Sequence, residues 1–518
     1  MANSIQKETE MGFKNKYERL DLVEELEEED EDEDLELKWM QRRRSTKKYV
    51  YACALFASLN SILLGYDGGV MSGAILYIQK DLNITEFQEE ILVGCISVIS
   101  LIGSLSGGHT SDAIGRKWTM GLGAIVFQFG VIIMTFAPSY SILMIGRLMA
   151  GVGMGFCGMI SGVYIAEISP AAARGTLTSF IEISINLGIL LGYVSNYAFS
   201  GLSMHINWRF MLGVGVLPSV FIGIALFVIP ESPRWLVMKN RLEEARVVLV
   251  KLSETDIEVE QRMEEIKEAA RTSKDCEGKA VLRELLNPSP AVLRMLFAGC
   301  GMQIFQMITG IDAVCYYSPT IFKNAGMKSD KEILAATIAV GSSKTIFILV
   351  AIFLVDKVGR KPLLYVSTIG MTCCLFILSI ALTLPNSAFG IELAILAVCS
   401  NVAFFSVGMG PICWVFSSEI FPLRLRAQAS ALGQVGGRVT SGLVSMSFLS
   451  ASRVISVAGV FFVFAALSAI SVLFVKFCIP ETKGKTLEQI EMMFREEKDS
   501  NRGVVELGDA ESLISTDG

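Results

Sequence analysis

Six ionisable side chains sit deep within long apolar stretches of this chain, away from their ends: the acids Asp67, Glu182 and Asp312, and the bases Arg147, Lys344 and Arg438. Charge in an apolar medium is costly unless it is paired, and three acids against three bases is the balance that pairing requires. An Asp beside an Arg can also take up a proton, which releases the pair. Depth along the expected helices brings one such couple together. Asp67 lies about 18 residues into a helix starting near residue 50, roughly 27 Å at 1.5 Å per residue. Arg147 lies about six residues into a helix running the other way, roughly 9 Å from the outer face. In an apolar layer about 30 Å thick, both fall in the outer half. We read Asp67 as a proton acceptor and Arg147 as the partner that resets it; a fixed structural ion pair is the alternative.

The remaining charges suit a different task. Glu182, Asp312 and Lys344 can each bind hydroxyl groups and can compensate one another's charge. They form either the site of a polyhydroxylated solute or an ion-pair network independent of it. Gln306 offers a donor and an acceptor at once, and Trp414 offers a flat apolar wall with an N–H donor. Gly310, Gly408, Gly410 and Pro411 interrupt the helices beside these residues, as expected where a membrane protein binds or gates. Tyr316 and Tyr317 follow Asp312 by about one turn and are placed to close the outer side. With only His109 and His205 in the chain, a histidine-based triad or zinc site has little support. Neither a nucleophile–base pair nor a cofactor loop is evident, so an enzyme, a cofactor and a metal centre are not expected. Cys53, Cys95, Cys157, Cys300, Cys373 and Cys374 lie in apolar runs without metal-ligand spacing and read as packing residues.

The elements that must position these groups follow from composition. The 518 residues are 52% hydrophobic and 19% charged, with a mean hydropathy of +0.51, which points to a multi-span membrane protein. Apolar stretches of spanning length fall near 50–78, 90–108, 118–137, 141–166, 176–200, 210–229, 292–322, 332–355, 362–384, 392–417, 427–450 and 454–479. That is an all-α fold of twelve membrane helices, six on each side of a hydrophilic insert. The expected segments are a tail over 1–48, a bundle over 49–230, a helical linker over 231–290, a second bundle over 291–480, and a tail over 481–518. Glu27 to Asp34 is an unbroken acidic octet, whose composition predicts a disordered tail. Within the linker, Leu242 to Val250 and Val259 to Ala269 read as amphipathic helices under the membrane domain. Lys and Arg gather at Arg42 to Lys48, Arg116, Lys117, Arg174, Lys357, Arg360, Lys361, Arg424 and Arg426, which puts both termini in the cytoplasm.

Three short patterns recur in order about 250 residues apart. Asp112-Ala113-Ile114-Gly115-Arg116-Lys117 returns as Asp356-Lys357-Val358-Gly359-Arg360-Lys361. Glu167-x-x-Pro170-x-x-x-Arg174 returns as Glu419-x-x-Pro422-x-x-x-Arg426, and Pro230-Glu231 returns as Pro480-Glu481. Ordered duplication implies two equivalent halves with a site between them. Each pattern falls at a cytoplasmic helix end, where the Gly can turn the chain and Asp112, Arg116, Asp356 and Arg360 can reach Glu167, Arg174, Glu419 and Arg426. Such a network can hold the halves together in one state and break in another.

These words resemble the sugar porter family of the major facilitator superfamily over about 50–495. Gly65-Tyr66-Asp67-Gly68-Gly69-Val70-Met71-Ser72-Gly73 is similar to the family's first helix. Pro230-Glu231-Ser232-Pro233-Arg234-Trp235-Leu236 and Pro480-Glu481-Thr482-Lys483-Gly484 close the halves, and Gly410-Pro411-Ile412-Cys413-Trp414 with Ser418-Glu419-Ile420-Phe421-Pro422 is similar to its helix 10. Thr309-Gly310-Ile311-Asp312, Lys344 and Tyr193-Val194-Ser195-Asn196-Tyr197 resemble plant polyol/monosaccharide proton symporters most. The resemblance implies a twelve-helix fold, a cargo site midway between the halves and alternating access. It gives Asp67 and Arg147 the proton-coupling roles read above, and adds Asn196, Gln303 and Gly437 to the candidate cargo contacts. Three residues depart from common sugar porters: Glu182 replaces Gln, while Asp312 and Lys344 replace Asn. Two more remove polar contacts, Met307 in place of the second Gln of a Gln-Gln pair and Gly437 in place of Asn.

The leading expectation is therefore a monomeric, proton-coupled symporter whose partners are a small polyol or monosaccharide, a proton and the lipid bilayer, with no nucleic acid. An uncoupled facilitator and a non-transporting sensor that signals through the acidic tail are the competing readings. The plasma membrane is what the resemblance implies; Asp509-x-x-x-Leu513-Ile514 resembles an acidic dileucine sorting signal and keeps an internal membrane open.

Overall fold

The computed structural model describes residues 2–170, 173–275, 285, 287–384, 387–421, 425–483, 489, 493 and 494; within these, side chains are described from residue 42 onward, apart from 174–176, 269–275, 356, 418 and 427. The side chains of Arg174 and Asp356 and the motif at 509–514 lie outside this set. Among the described residues all regular structure is helical. The first half comprises α1 (Ala2–Leu82), α2 (Glu86–Ile114), α3 (Arg116–Thr135), α4 (Tyr140–Ile168), α5 (Arg174–Phe199), α6 (Met204–Gly213) and α7 (Val216–Val228). The linker carries α8 (Pro233–Met238), α9 (Leu242–Leu252) and α10 (Asp256–Asp275). The second half comprises α11 (Pro290–Ile308), α12 (Ile311–Tyr316), α13 (Ser318–Asn324), α14 (Asp330–Val358), α15 (Arg360–Ala381), α16 (Ala388–Val407), α17 (Met409–Ile420) and α18 (Arg426–Cys478).

Eleven stretches among the described residues are long and apolar enough to cross a membrane. The last of them, Gln428–Cys478, is two crossings, because Ser456 (φ 67, ψ 160) turns the chain inside α18. The total is the expected twelve. The break falls just beyond the gap between the expected spans 427–450 and 454–479, and the residue that turns the chain is a serine rather than a glycine or proline.

Helix ends follow local chemistry. Thr85 caps α2 and forms a capping box with Gln88, and Ser232 and Ser289 cap helices whose first residue is a proline. Gly115 (φ 105) and Gly359 (φ 111) make the matching tight turns of the doubled motif. Side-chain-free contact joins α1 to α5: a Cβ on Gly65 would lie 1.9 Å from the Ile185 carbonyl oxygen.

The acidic tail departs from expectation. Where composition predicts disorder over 1–48, the backbone of α1 is helical from Ala2. Glu, Leu, Lys and Arg are strong helix formers, and the stretch joins a membrane helix that supplies the nucleus. Its end is held to the linker: Arg42 pairs with Asp256 at 2.8 Å, Arg43 with Glu254 at 2.9 Å, and Thr46 donates to the Ser253 carbonyl at 3.4 Å. The linker helices share a small core of Trp235, Leu236, Ala245, Leu249, Val259 and Met263. The two halves meet along α2 with α18 and along α5 with α14.

Candidate functional site

Breaks in two helices shape the site. Gly310 (φ 83) separates α11 from α12, and a Cβ there would lie 2.6 Å from the Phe464 ring, so only glycine fits the turn. Gly408 (φ −130, ψ −72) separates α16 from α17, with Pro411 inside the first turn of α17 where a missing N–H costs nothing. Between these breaks and the first half lies a cavity of about 160 Å³.

The cavity gathers residues from both halves. Glu182 and Asn186 come from α5, Gln303 and Gln306 from α11, and Asp312 and Tyr316 from α12. Lys344, Trp414, Gly437 and Arg438 complete the wall, with Met307 among them. Both glutamines commit their amide nitrogens to protein: Gln303 donates to Ser417 at 2.9 Å, and Gln306 to the carbonyls of Met409 and Gly410 at 3.3 and 3.2 Å. Their carbonyl oxygens are therefore the groups left to accept from a hydroxyl. Lys344 approaches Cys315 Sγ at 3.8 Å and lies 5.9 Å from the Phe405 ring centre, so its ammonium keeps donors to spare. Glu182 has Lys344, Arg438 and Trp414 as its electrostatic neighbours. Trp414 and Gln434 are exposed, and both sit on the linker side of the cavity, so it is reached from there.

Asp67 and Arg147 are together but outside the cavity lining. Arg147 Nη1 lies 2.7 Å from both carboxylate oxygens of Asp67, and its Nε donates to the Leu92 carbonyl at 2.9 Å. Both side chains are buried, and Arg147 Nη2 has no hydrogen-bond partner. The ring of Tyr316 stands against Gly68, with Asp67, Arg147, Asp312 and Arg438 around it. Tyr316 thus lines the cavity while lying within electrostatic reach of the ion pair.

Two expected residues face elsewhere. Asn196 is buried outside the cavity, donating to the Gly69 carbonyl at 3.1 Å and so tying α5 to α1. Tyr317 is turned about 100° from Tyr316 along the chain. Its hydroxyl donates to the Ser445 carbonyl at 2.9 Å, and its ring stacks on Phe448 at 4.8 Å, inside the second half. Neither is a cargo contact or a cavity lid in this state. The sequence reading gave Asn186 and Arg438 no part in cargo binding, although both line the cavity. Asn186 lies four residues from Glu182 on the same helical face and has a buried, unpartnered Oδ1.

The doubled words form two matching cages on the linker side. In the first, Arg116 Nε and Nη2 bond Glu167 at 3.0 and 3.2 Å, and Nη1 bonds Asp112 at 2.9 Å. Glu231 accepts the backbone N–H of Arg116 and Lys117, and Ser232 Oγ donates to Glu167 at 2.5 Å. In the second, Arg360 bonds Glu419 at 2.9 Å, Glu481 accepts the N–H of Arg360 and Lys361, and Thr482 Oγ1 donates to Glu419 at 2.6 Å. Arg426 reaches the Phe421 carbonyl at 3.3 Å. These contacts stitch each half to itself in this state; the sequence reading has the motifs hold the halves together in one state and part in another. The roles of Ser232 and Thr482 went unread, although Pro-Glu-Ser and Pro-Glu-Thr carry the signal.

Twelve crossings in two matching halves around a polar central cavity define a carrier. A model of the family described as "Sugar (and other) transporter" matches residues 53–494. The chain is 64% identical over 97% of its length, and 94% of the relative's, to "Probable polyol transporter 4" of Arabidopsis thaliana. It is 35% identical to the "Glucose transporter GlcP" of Staphylococcus epidermidis, over 86% of this chain and 97% of that one. A solved structure of the proton:xylose symporter XylE superposes with a TM-score of 0.73 at 29% identity, covering 87% of this chain and 100% of that one. The chain belongs to the sugar transporter family, the sugar porters of the major facilitator superfamily. It is a multi-pass membrane protein of the sugar- and polyol-transporting class, and its relatives are transporters, not enzymes.

Proposed function

We propose that this protein couples the inward movement of a proton to symport of a polyol or monosaccharide, with both termini and the linker on the cytoplasmic side of the plasma membrane. The observation that carries the coupling is the buried Asp67–Arg147 pair. A carboxylate held by a guanidinium in an apolar wall is a two-state element: protonation removes the attraction, and re-pairing expels the proton. Tyr316 lines the cavity and lies within electrostatic reach of both Asp67 and Arg147, so it links the cargo and proton sites.

Cargo hydroxyls donate to the carbonyl oxygens of Gln303, Gln306 and Asn186 and to the carboxylates of Asp312 and Glu182. They accept from Lys344 and Arg438, while Trp414 covers a C–H face. Two acids and two bases line the cavity, a charge balance that suits a neutral cargo. Segments 49–230 and 291–480 then rock about this site, with the Gly310 and Gly408 breaks absorbing local change. The names of the relatives, polyol transporters and a proton:xylose symporter, support both cargo class and coupling.

The deciding experiment records sorbitol-, xylitol- and glucose-induced proton uptake by cells expressing the full chain and its Asp67→Asn variant. Proton entry that follows cargo in the parent and disappears in the variant is expected. Equal cargo flux without proton movement in both points to a facilitator, and no flux of any of these solutes through surface-exposed protein points to a sensor.

A further inference from the structure

On the side away from the linker, α2 and the first arm of α18 run antiparallel and are joined at regular intervals. Ser97 faces Ser441 with their hydroxyl oxygens 3.2 Å apart. Gly94 faces Met446, where a Cβ would come within 2.5 Å of the Met446 side chain. Glu90 accepts from the backbone N–H of Ser450 at 2.6 Å and from its hydroxyl. Glu86 pairs with Arg453 at 2.5 Å. As α2 positions fall from 97 to 86, α18 positions rise from 441 to 453, which is the register of a zipper between the two halves. Glu90 is almost wholly buried in it. An exposed pair such as Glu86–Arg453 adds little by itself, but a buried carboxylate satisfied by the opposite half depends on closure.

The inner end of the zipper touches the cargo cavity. Ser441 Oγ also lies within hydrogen-bonding reach of Asp312 Oδ2, and a carboxylate can only accept. The single proton of Ser441 is therefore committed to Asp312. Its oxygen must then accept from Ser97, so the Ser97 hydroxyl donates across the seam. The polarity of the chain is fixed: Ser97 to Ser441 to Asp312. Ser97 and Asp312 both line the cavity, and Asp312 rides on the short α12, hinged at Gly310.

We propose that Ser97 and Ser441 are positioning residues that transmit cargo binding at Asp312 to closure of the outer seam, with Glu90 as its latch. This rests on the cavity being the cargo site and on the linker side being cytoplasmic. Cargo drawn against Asp312 settles α12 toward α18, Asp312 accepts the O–H hydrogen bond of Ser441, and the Ser441 oxygen, its hydrogen so directed, accepts from the Ser97 hydroxyl. The zipper then completes outward to Glu90 and Ser450. The relay moves no atom permanently; it orients three groups.

The test uses the full chain carrying Glu89→Cys, a buried position on α2 between the seam residues Glu86 and Glu90, and an impermeant maleimide added outside intact cells. The unmodified chain gives the background from native cysteines. Sorbitol should slow labelling of the parent severalfold, as the seam spends more time shut. Ser97→Ala and Ser441→Ala should each raise labelling about threefold and abolish the sorbitol effect, and the double variant should equal either single one, because one chain is cut twice. Net uptake should fall severalfold in Vmax with little change in KM. Additive effects, a sorbitol response that survives Ser441→Ala, or a change in KM alone with labelling untouched would overturn the relay; the last would make Ser97 a direct cargo contact. If the parent moves none of the solutes named above, the transport reading fails, while the labelling differences between Ser and Ala still decide whether the hydroxyl chain holds the seam.

Discussion

Arg147 grips Asp67 through one nitrogen placed 2.7 Å from each carboxylate oxygen, while its other terminal nitrogen is buried without a partner. The pair is consequently strong but incompletely satisfied, which keeps it within reach of an alternative arrangement. Removing one member strands a buried charge. Arg147→Ala should cost on the order of 3–5 kcal/mol, seen as a large fall in melting temperature of the detergent-solubilised protein. Exchanging both, as Asp67→Asn with Arg147→Leu, should restore most of that stability while leaving coupling absent. A double variant as unstable as Arg147→Ala alone would show that packing, not stranded charge, sets the cost.

Glu231 and Glu481 occupy equivalent places in the two linker-side cages but differ in charge economy. Burial pushes the Glu231 carboxyl above its ordinary value, despite the N–H groups of Ser232, Lys117 and Arg116. Burial acts on Glu481 too, but the N–H groups of Lys483, Arg360 and Lys361 outweigh it and hold that carboxyl below. A raised group contributes stability at acid pH, lost as pH rises through the folded value; a depressed one contributes above the ordinary value of about 4.3, lost as pH falls through it. Glu481→Gln should therefore lower the melting temperature at pH 7 and converge on the parent near pH 4. Glu231→Gln should equal or exceed the parent at pH 7 and lose that advantage near pH 4. Parallel curves for the two variants would contradict the asymmetry.

Gly310 sets the hinge above the cavity. At φ 83, with a Cβ only 2.6 Å from Phe464, alanine is strained in backbone and contact alike. Gly310→Ala should cost about 1 kcal/mol or more and reduce maximal uptake more than cargo binding, which counterflow at saturating cargo and direct binding would separate. Equal losses in both would place the defect in the cavity instead.

Much of this was legible in the residues because it depended on spacing along single helices. Depth arithmetic sets Asp67 and Arg147 in the same outer half, and the doubled Gly-Arg-Lys turns mark the two halves. Breaks at Gly310 and Gly408 follow from the residue type. What escaped depends on helix rotation and on which helix lies opposite. Tyr316 and Tyr317 are adjacent in sequence, yet one walls the cavity and the other packs on Phe448. Asn196 and Asn186 lie on one helix with opposite surroundings. Ser97 and Ser441 are ordinary serines until α2 and α18 are known to touch.

Two positions where polar side chains are missing test the cargo site most directly. Gly437 and Met307 line the cavity at places where common sugar porters carry amides. A Cβ on Gly437 would lie 3.3 Å from the backbone carbonyl oxygen of Gln303, a tight but not forbidden approach, so a side chain can be added in the cavity wall beside Gln303. One added hydrogen bond to a hydroxyl is worth about 0.5–1.5 kcal/mol, or roughly two- to tenfold in affinity. Gly437→Asn should accordingly lower KM for sorbitol by that factor if the cargo is small enough to leave the pocket roomy. If the native cargo already fills the space left by the glycine, the same change should raise KM for that cargo while lowering it for a shorter polyol such as xylitol. Met307→Gln should move KM in the same direction as Gly437→Asn, since it restores an amide to the same wall. Uptake kinetics for sorbitol, xylitol and glucose in the two variants therefore rank cargo size against the cavity, and unchanged KM values for all three solutes would remove both positions from the cargo site.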